Sequence, residues 1–93
     1  MVLEHALLNI KVGLNDEFEK ALISALPILR NFPGNISARV LKSVEKENQF
    51  LLLAEWDSVS SHEDGFRKSE EYQEWKKLLH KFYEPFPEVT HFT

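Results

Sequence analysis

Residues 50–56 read Phe-Leu-Leu-Leu-Ala-Glu-Trp, and no apolar–polar alternation runs through them. A strand with one wet face alternates at period two, so this segment predicts a strand covered on both sides. Glu55 is its only charge. A chain of 93 residues can cover one face of a sheet with its own two helices and has little left for the other. A second copy of the chain is the simplest cover, and a domain this small gains from oligomerisation.

The length fits one domain over residues 1–93, with no repeats, linkers or low-complexity segments. The chain has no cysteine, so disulfides and thiolate metal sites are absent from its repertoire. A net charge of −4 without a basic stripe argues against nucleic acid as a partner. No apolar run approaches the roughly 20 residues that span a bilayer, so no membrane association is expected. The first residues carry Glu4 and His5 and no basic leader, unlike a signal peptide. A soluble, cytoplasmic protein is the expectation.

Ala6, Leu8, Ile10 and Val12 alternate with His5, Leu7, Asn9 and Lys11, which predicts a first strand ended by Gly13. Asn15 is a candidate cap for a helix carrying Phe18, Ala21, Leu22, Ala25, Leu26 and Leu29 on one face. Pro27 should kink that helix or stop it early. Ile36, Ala38, Val40 and Val44 suggest a second strand, followed by a polar hairpin loop and the 50–56 strand. Residues 57–61 offer caps for a short helix bearing His62 and Phe66, and Ser69 opens another that includes Trp75, Leu78, Leu79 and Phe82. Pro85 and Pro87 end it, and 88–93 form a last short strand.

The order is βαββαβ, the α+β ferredoxin-like pattern with a four-stranded antiparallel sheet in which the first and third strands are central. Both helices should lie on one face. The other face would carry His5, Leu7 and Asn9, with either Phe50, Leu52, Ala54 and Trp56 or Leu51, Leu53 and Glu55 beside them. Either set leaves an apolar patch that marks an interaction surface. Two sheets meeting face to face about a two-fold axis would form a dimeric α+β barrel.

Trp56 closing the third strand, the helical stretch to Ser69, Tyr72 and Trp75 on the next helix, and the final Phe-Pro-Glu-Val-Thr-His-Phe segment resemble the antibiotic biosynthesis monooxygenase family. The N-terminal Leu-Leu-Asn-Ile-Lys-Val-Gly and the Phe-Pro-Gly turn suit it too, so the resemblance spans nearly the whole chain. It implies a homodimer and an enzyme that oxidises a small phenolic or quinol-type substrate with molecular oxygen, using no metal or other cofactor. The substrate then supplies the electrons, and the protein removes a phenolic proton, holds the anion and excludes water in an apolar pocket.

Asn9, placed on the barrel side by resemblance and parity, is a candidate to orient a substrate oxygen; the alternative is an amide satisfying its neighbours. His62 is a candidate general base, or else an exposed residue among Ser61, Glu63 and Asp64. Trp56, Phe66, Tyr72 and Trp75 are candidates to line the pocket, against the reading of aromatics as core. His91 is a further substrate-binding candidate whose face depends on register. No two histidines have a metal spacing. Relatives on this fold degrade haem with a histidine ligand near the position of Trp75, and that departure argues against haem here. A non-catalytic small-molecule binding or stress-response protein on the same barrel is the alternative function.

Overall fold

A computed structural model describes all residues 1–93. Its strands are β1 (Val2–Asn9), β2 (Asn35–Lys42), β3 (Gln49–Trp56) and β4 (Val89–Phe92), and its two longer helices are α1 (Asn15–Arg30) and α2 (Glu70–Leu79). The strands pair antiparallel in the order β2-β3-β1-β4, which puts β1 and β3 at the centre. This is the ferredoxin-like α+β arrangement read from the sequence. Between β3 and α2 the chain makes one π-helical turn (Ser61–Gly65) and one 3-10 turn (Phe66–Lys68).

Register decides which residues meet the helices. On β1, Val2, Glu4, Ala6 and Leu8 are buried, and on β3, Phe50, Leu52, Ala54 and Trp56 are buried. The side chains of Phe18, Leu22, Ala25 and Leu29 from α1 and of Trp75 and Leu79 from α2 complete this core. Leu3, His5, Leu7 and Asn9 alternate to the opposite face, where Leu51, Leu53 and Glu55 are their cross-strand partners or diagonal neighbours. Of the two sets that parity left open for β3, the odd-numbered one therefore faces away from the helices. Leu7 and Leu41 on that face are exposed, and Leu3, Leu51 and Leu53 are half-buried.

Four local expectations need correction. Val12 lies past the end of β1 and is 91% exposed. Ile36 is at a bulge between Asn35 and Ser37, so it leaves the apolar face that Ala38 and Val40 keep; Val44 lies beyond β2. Asn15 does not cap α1. The chain turns tightly over Lys11–Leu14, with Gly13 at a φ of 85°, and enters the helix from Leu14. The Asn15 amide instead donates to the Glu47 carbonyl at 2.7 Å, tying the helix start to the β2–β3 loop. Pro27 does not stop α1 early, which runs on to Arg30. The carbonyl that Pro27 leaves without a donor belongs to Ile23, whose side chain is 77% exposed, so water can satisfy it.

Ser69 does start α2: its hydroxyl accepts from the Tyr72 backbone N–H at 3.1 Å. Gly34 has a φ of 91°, and a Cβ there would fall 2.7 Å from Ser61 Cβ. Its carbonyl accepts from the Asp57 N–H at 2.9 Å, so the close approach fixes the segment that leads into the π turn.

Candidate active site

The cavity opens between the helix-covered face of the sheet and the two helices, with a volume of about 320 Å³. Ala6, Leu8, Leu29, Leu52, Phe66 and Trp75 give it apolar walls, and Tyr72, Tyr83 and His80 add polar tips. Glu4, His62 and Arg67 bring charge or acid–base capacity to the same space. A small apolar cavity with a few converging polar groups has the form of a small-molecule site.

Glu4 and His91 are direct cross-strand partners on β1 and β4, so both point toward the helices. The π turn brings His62 onto them. Its Nε2 lies 3.4 Å from Glu4 Oε1, and its Nδ1 lies 2.8 Å from His91 Nε2. Glu4 Oε1 also accepts the indole N–H of Trp56 at 2.9 Å. His91 Nδ1 in turn stands 4.0 Å from Glu63 Oε1, whose side chain is 49% exposed. A buried carboxyl at the cavity, two imidazoles and a surface carboxyl thus stand in a row, joined by one hydrogen bond between the imidazoles and by longer approaches at either end. The His62 ring stacks on Trp56 with centroids 5.0 Å apart and planes at 24°.

Burial governs the protonation states here. Desolvation raises the Glu4 carboxyl above its ordinary value, with the Trp56 hydrogen bond and the Arg67 charge opposing it. Desolvation also lowers His62, helped by Arg67 and His91, to about 3. Both shifts disfavour charge, so the pair is best described as a neutral imidazole beside a carboxyl that gives up its proton reluctantly. Burial lowers His80 and raises Tyr83, which keeps the Tyr83 phenol a hydrogen-bond donor.

The residues expected to form the site divide into three groups. His62, Phe66, Tyr72 and Trp75 line the cavity. Trp56 and His91 stand behind it, holding Glu4 and His62 respectively. Asn9 is set apart from both: its odd position puts it on the open face, where its Oδ1 accepts from Gln49 Nε2 at 3.2 Å and it borders a shallow groove with His5 and Leu7. Asn9 thus lies on the face that parity assigns to it, across the sheet from this cavity.

The exposed reading of His62 is corrected as well, since the residue is 3% exposed. The π turn carries His62 inward and the 3-10 turn that follows brings Phe66 in beside it, and π turns recur at functional sites. Glu4, Arg67, His80, Tyr83 and Phe86 line the cavity in addition to the residues expected from sequence. Glu4 had a readable signal, because it shares the parity of Ala6, Leu8 and Ile10 and is the one charge on that apolar face of β1. Arg67, His80, Tyr83 and Phe86 lie in the short turns and loop around α2 and carry no such periodic signal. No group of three or more His, Cys, Asp or Glu side chains lies close enough to hold a metal ion, and no helix is long and apolar enough to cross a membrane.

Comparison with known proteins agrees with this architecture. The profile of the antibiotic biosynthesis monooxygenase family matches residues 1–78. The uncharacterized protein YczJ of Bacillus subtilis is 51% identical over 92 residues, covering 99% of this chain and 97% of its own. The crystal structure of a candidate antibiotic biosynthesis monooxygenase of Bordetella bronchiseptica superposes with a TM-score of 0.93 at 27% identity, over 99% of this chain and 94% of that one. SnoaB, a cofactor-independent oxygenase from Streptomyces nogalater, shares the fold with a TM-score of 0.84 at 17% identity, over 99% of this chain and 90% of its own. The chain belongs to the antibiotic biosynthesis monooxygenase family.

Proposed function

We propose that the protein is a cofactor-independent monooxygenase that oxidises a small phenolic or quinol-type substrate with molecular oxygen. The observation that carries this reading is the carboxyl–imidazole pair of Glu4 and His62 in an otherwise apolar, aromatic-walled cavity. Such a substrate becomes reactive toward dioxygen once it has lost a proton, and a buried carboxyl with a raised pKa is matched to that removal. Family membership and the likeness to SnoaB support the reaction class.

In this reading Glu4 takes the proton, while Arg67, whose positive charge bears on both Glu4 and His62, favours the resulting anion. The anion transfers electrons to dioxygen, and a carbon–oxygen bond forms to give a peroxide. Protonation of the peroxide and loss of its C–H proton break the O–O bond, leaving a carbonyl and water. Overall the ring C–H carbon of the phenol, a CH₂ in its keto tautomer, and O₂ become C=O and H₂O, with no external reductant. The apolar walls exclude water from the anion.

Two copies of the chain would pair through the open sheet face, where Leu3, Leu7, Leu41, Leu51 and Leu53 supply apolar surface. Dioxygen uptake by the purified protein across a panel of quinols and phenols tests the reaction. Consumption with formation of the carbonyl product supports it. Retention of the same compounds without consumption would favour a binding protein.

A further inference from the structure

The mechanism needs a proton to leave the cavity and one to return, yet Glu4 is 4% exposed and cannot exchange freely with bulk water. We propose that His62, His91 and Glu63 form a proton relay between Glu4 in the cavity and the solvent. The proposal rests on the oxidative reading of the same cavity.

Three features of the geometry carry it. Both ring nitrogens of His62 are engaged, Nε2 toward Glu4 Oε1 at 3.4 Å and Nδ1 toward His91 Nε2 at 2.8 Å. His62 is thereby placed as an intermediate station, with Glu4 as the group facing substrate. Glu4 Oε1 holds the contacts to Trp56 and His62, which leaves Oε2 for the substrate. His91 faces the last gap, with Nε2 on His62 and Nδ1 4.0 Å from Glu63 Oε1, a distance beyond hydrogen bonding that rotation of the exposed Glu63 side chain closes. Burial at His62 falls to half-burial at His91 and exposure at Glu63, so the chain ends in water.

The transfer balances atom by atom. The substrate O–H or C–H proton passes to Glu4 Oε2. The carboxyl turns about its Cγ–Cδ bond to bring that proton to His62 Nε2. As His62 takes it, His62 gives its Nδ1 proton to His91 Nε2. His91 gives its Nδ1 proton to Glu63 once the exposed Glu63 side chain swings within hydrogen-bond reach, and Glu63 releases it to water. Each imidazole gains one proton and loses one, so neither holds a full charge for long in the desolvated interior. The reverse sequence returns the proton that the peroxide needs and restores the starting tautomers. The groups facing His62 are Glu4 from β1, His91 from β4, and Arg67 from the following turn. Arg67 opposes full protonation of His62, which favours passage of a proton over its storage.

His91→Gln keeps a hydrogen-bonding side chain and removes the two-nitrogen passage. Its kcat should fall about tenfold to a hundredfold, within the range of general acid–base effects. Its KM should stay unchanged, and added imidazole should restore part of the rate. Glu63→Gln, at the surface, should give a smaller loss without loss of fold. An unchanged kcat in His91→Gln while the wild type consumes dioxygen would overturn the relay and leave the oxidation intact. If the wild type consumes no dioxygen, the oxidative reading falls. The relay is then judged by nitrogen-15 NMR, where a scalar coupling between His62 Nδ1 and His91 Nε2 supports it and its absence overturns it.

Discussion

The indole N–H of Trp56 donates to Glu4 Oε1 at 2.9 Å, joining the last residue of β3 to a diagonal neighbour on β1 inside the core. It is the one side-chain hydrogen bond that Glu4 accepts, and it lowers a carboxyl pKa that burial raises. Trp56 therefore holds the carboxyl in place and keeps it ionisable. Trp56→Phe preserves the aromatic stack and deletes the donor. Leaving a buried acceptor unpaired should cost about 1–3 kcal/mol, read as a lower denaturant midpoint at unchanged slope. The same variant should move any activity that depends on ionised Glu4 to higher pH.

Stability should depend on pH in two opposed ways. His62 binds its proton with a pKa near 6.5 when free and about 3 in the fold, so the unfolded chain binds more protons between those values. Stability supplied by neutral His62 is present above about pH 6.5 and is lost as pH falls toward 3. Glu4 acts the other way. Its folded pKa is raised, so its contribution is present below its ordinary 4.5 and is lost as pH rises through the raised value. Denaturation midpoints across pH should show His62→Gln flattening the acid limb and Glu4→Gln flattening the opposite one. Parallel curves for all three proteins would contradict this assignment.

The order of elements and the central place of β1 and β3 were legible in the sequence, because period-two and helical patterns are local. The site was only partly so. Phe66, Tyr72 and Trp75 are readable as aromatics on helical segments, and His62 as an acid–base group, yet the burial of His62 depends on a π turn that no helical period encodes. The face of His91 is not readable from the sequence, since only its pairing opposite Glu4 turns it inward. Glu4 sits one position before the run in which the alternation is clearest, from His5 onward, so the pattern alone does not mark it as a site residue. Parity places Asn9 on the face away from the helices, across the sheet from the cavity.

Arg67 lines the cavity and is exposed. Its contribution is a screened charge, smaller than that of a buried group. Arg67→Gln should lower kcat/KM for a phenolic substrate by about tenfold, ~1.4 kcal/mol, with a smaller effect at high salt. Steady-state rates at two ionic strengths check this.

Leu7 and Leu51 are cross-strand partners on the open sheet face. Leu7→Glu would bury a carboxylate in each copy of a face-to-face dimer and disfavour association by several kcal/mol. Sedimentation equilibrium should give twice the chain mass for the wild type and the single-chain mass for the variant, with helical circular dichroism unchanged. A folded wild-type monomer at micromolar concentration would contradict the dimer.

The central claim is that Glu4 removes the substrate proton that commits the substrate to dioxygen. Glu4→Gln is close in shape and still offers a carbonyl oxygen to Trp56, so its fold should survive. The direct measurement is anaerobic single-turnover mixing with a quinol substrate, followed by dioxygen uptake. The wild type should form the substrate anion and consume dioxygen, while Glu4→Gln should bind the substrate equally well and consume it about a hundredfold more slowly or less. Equal uptake by the two proteins would contradict the claim.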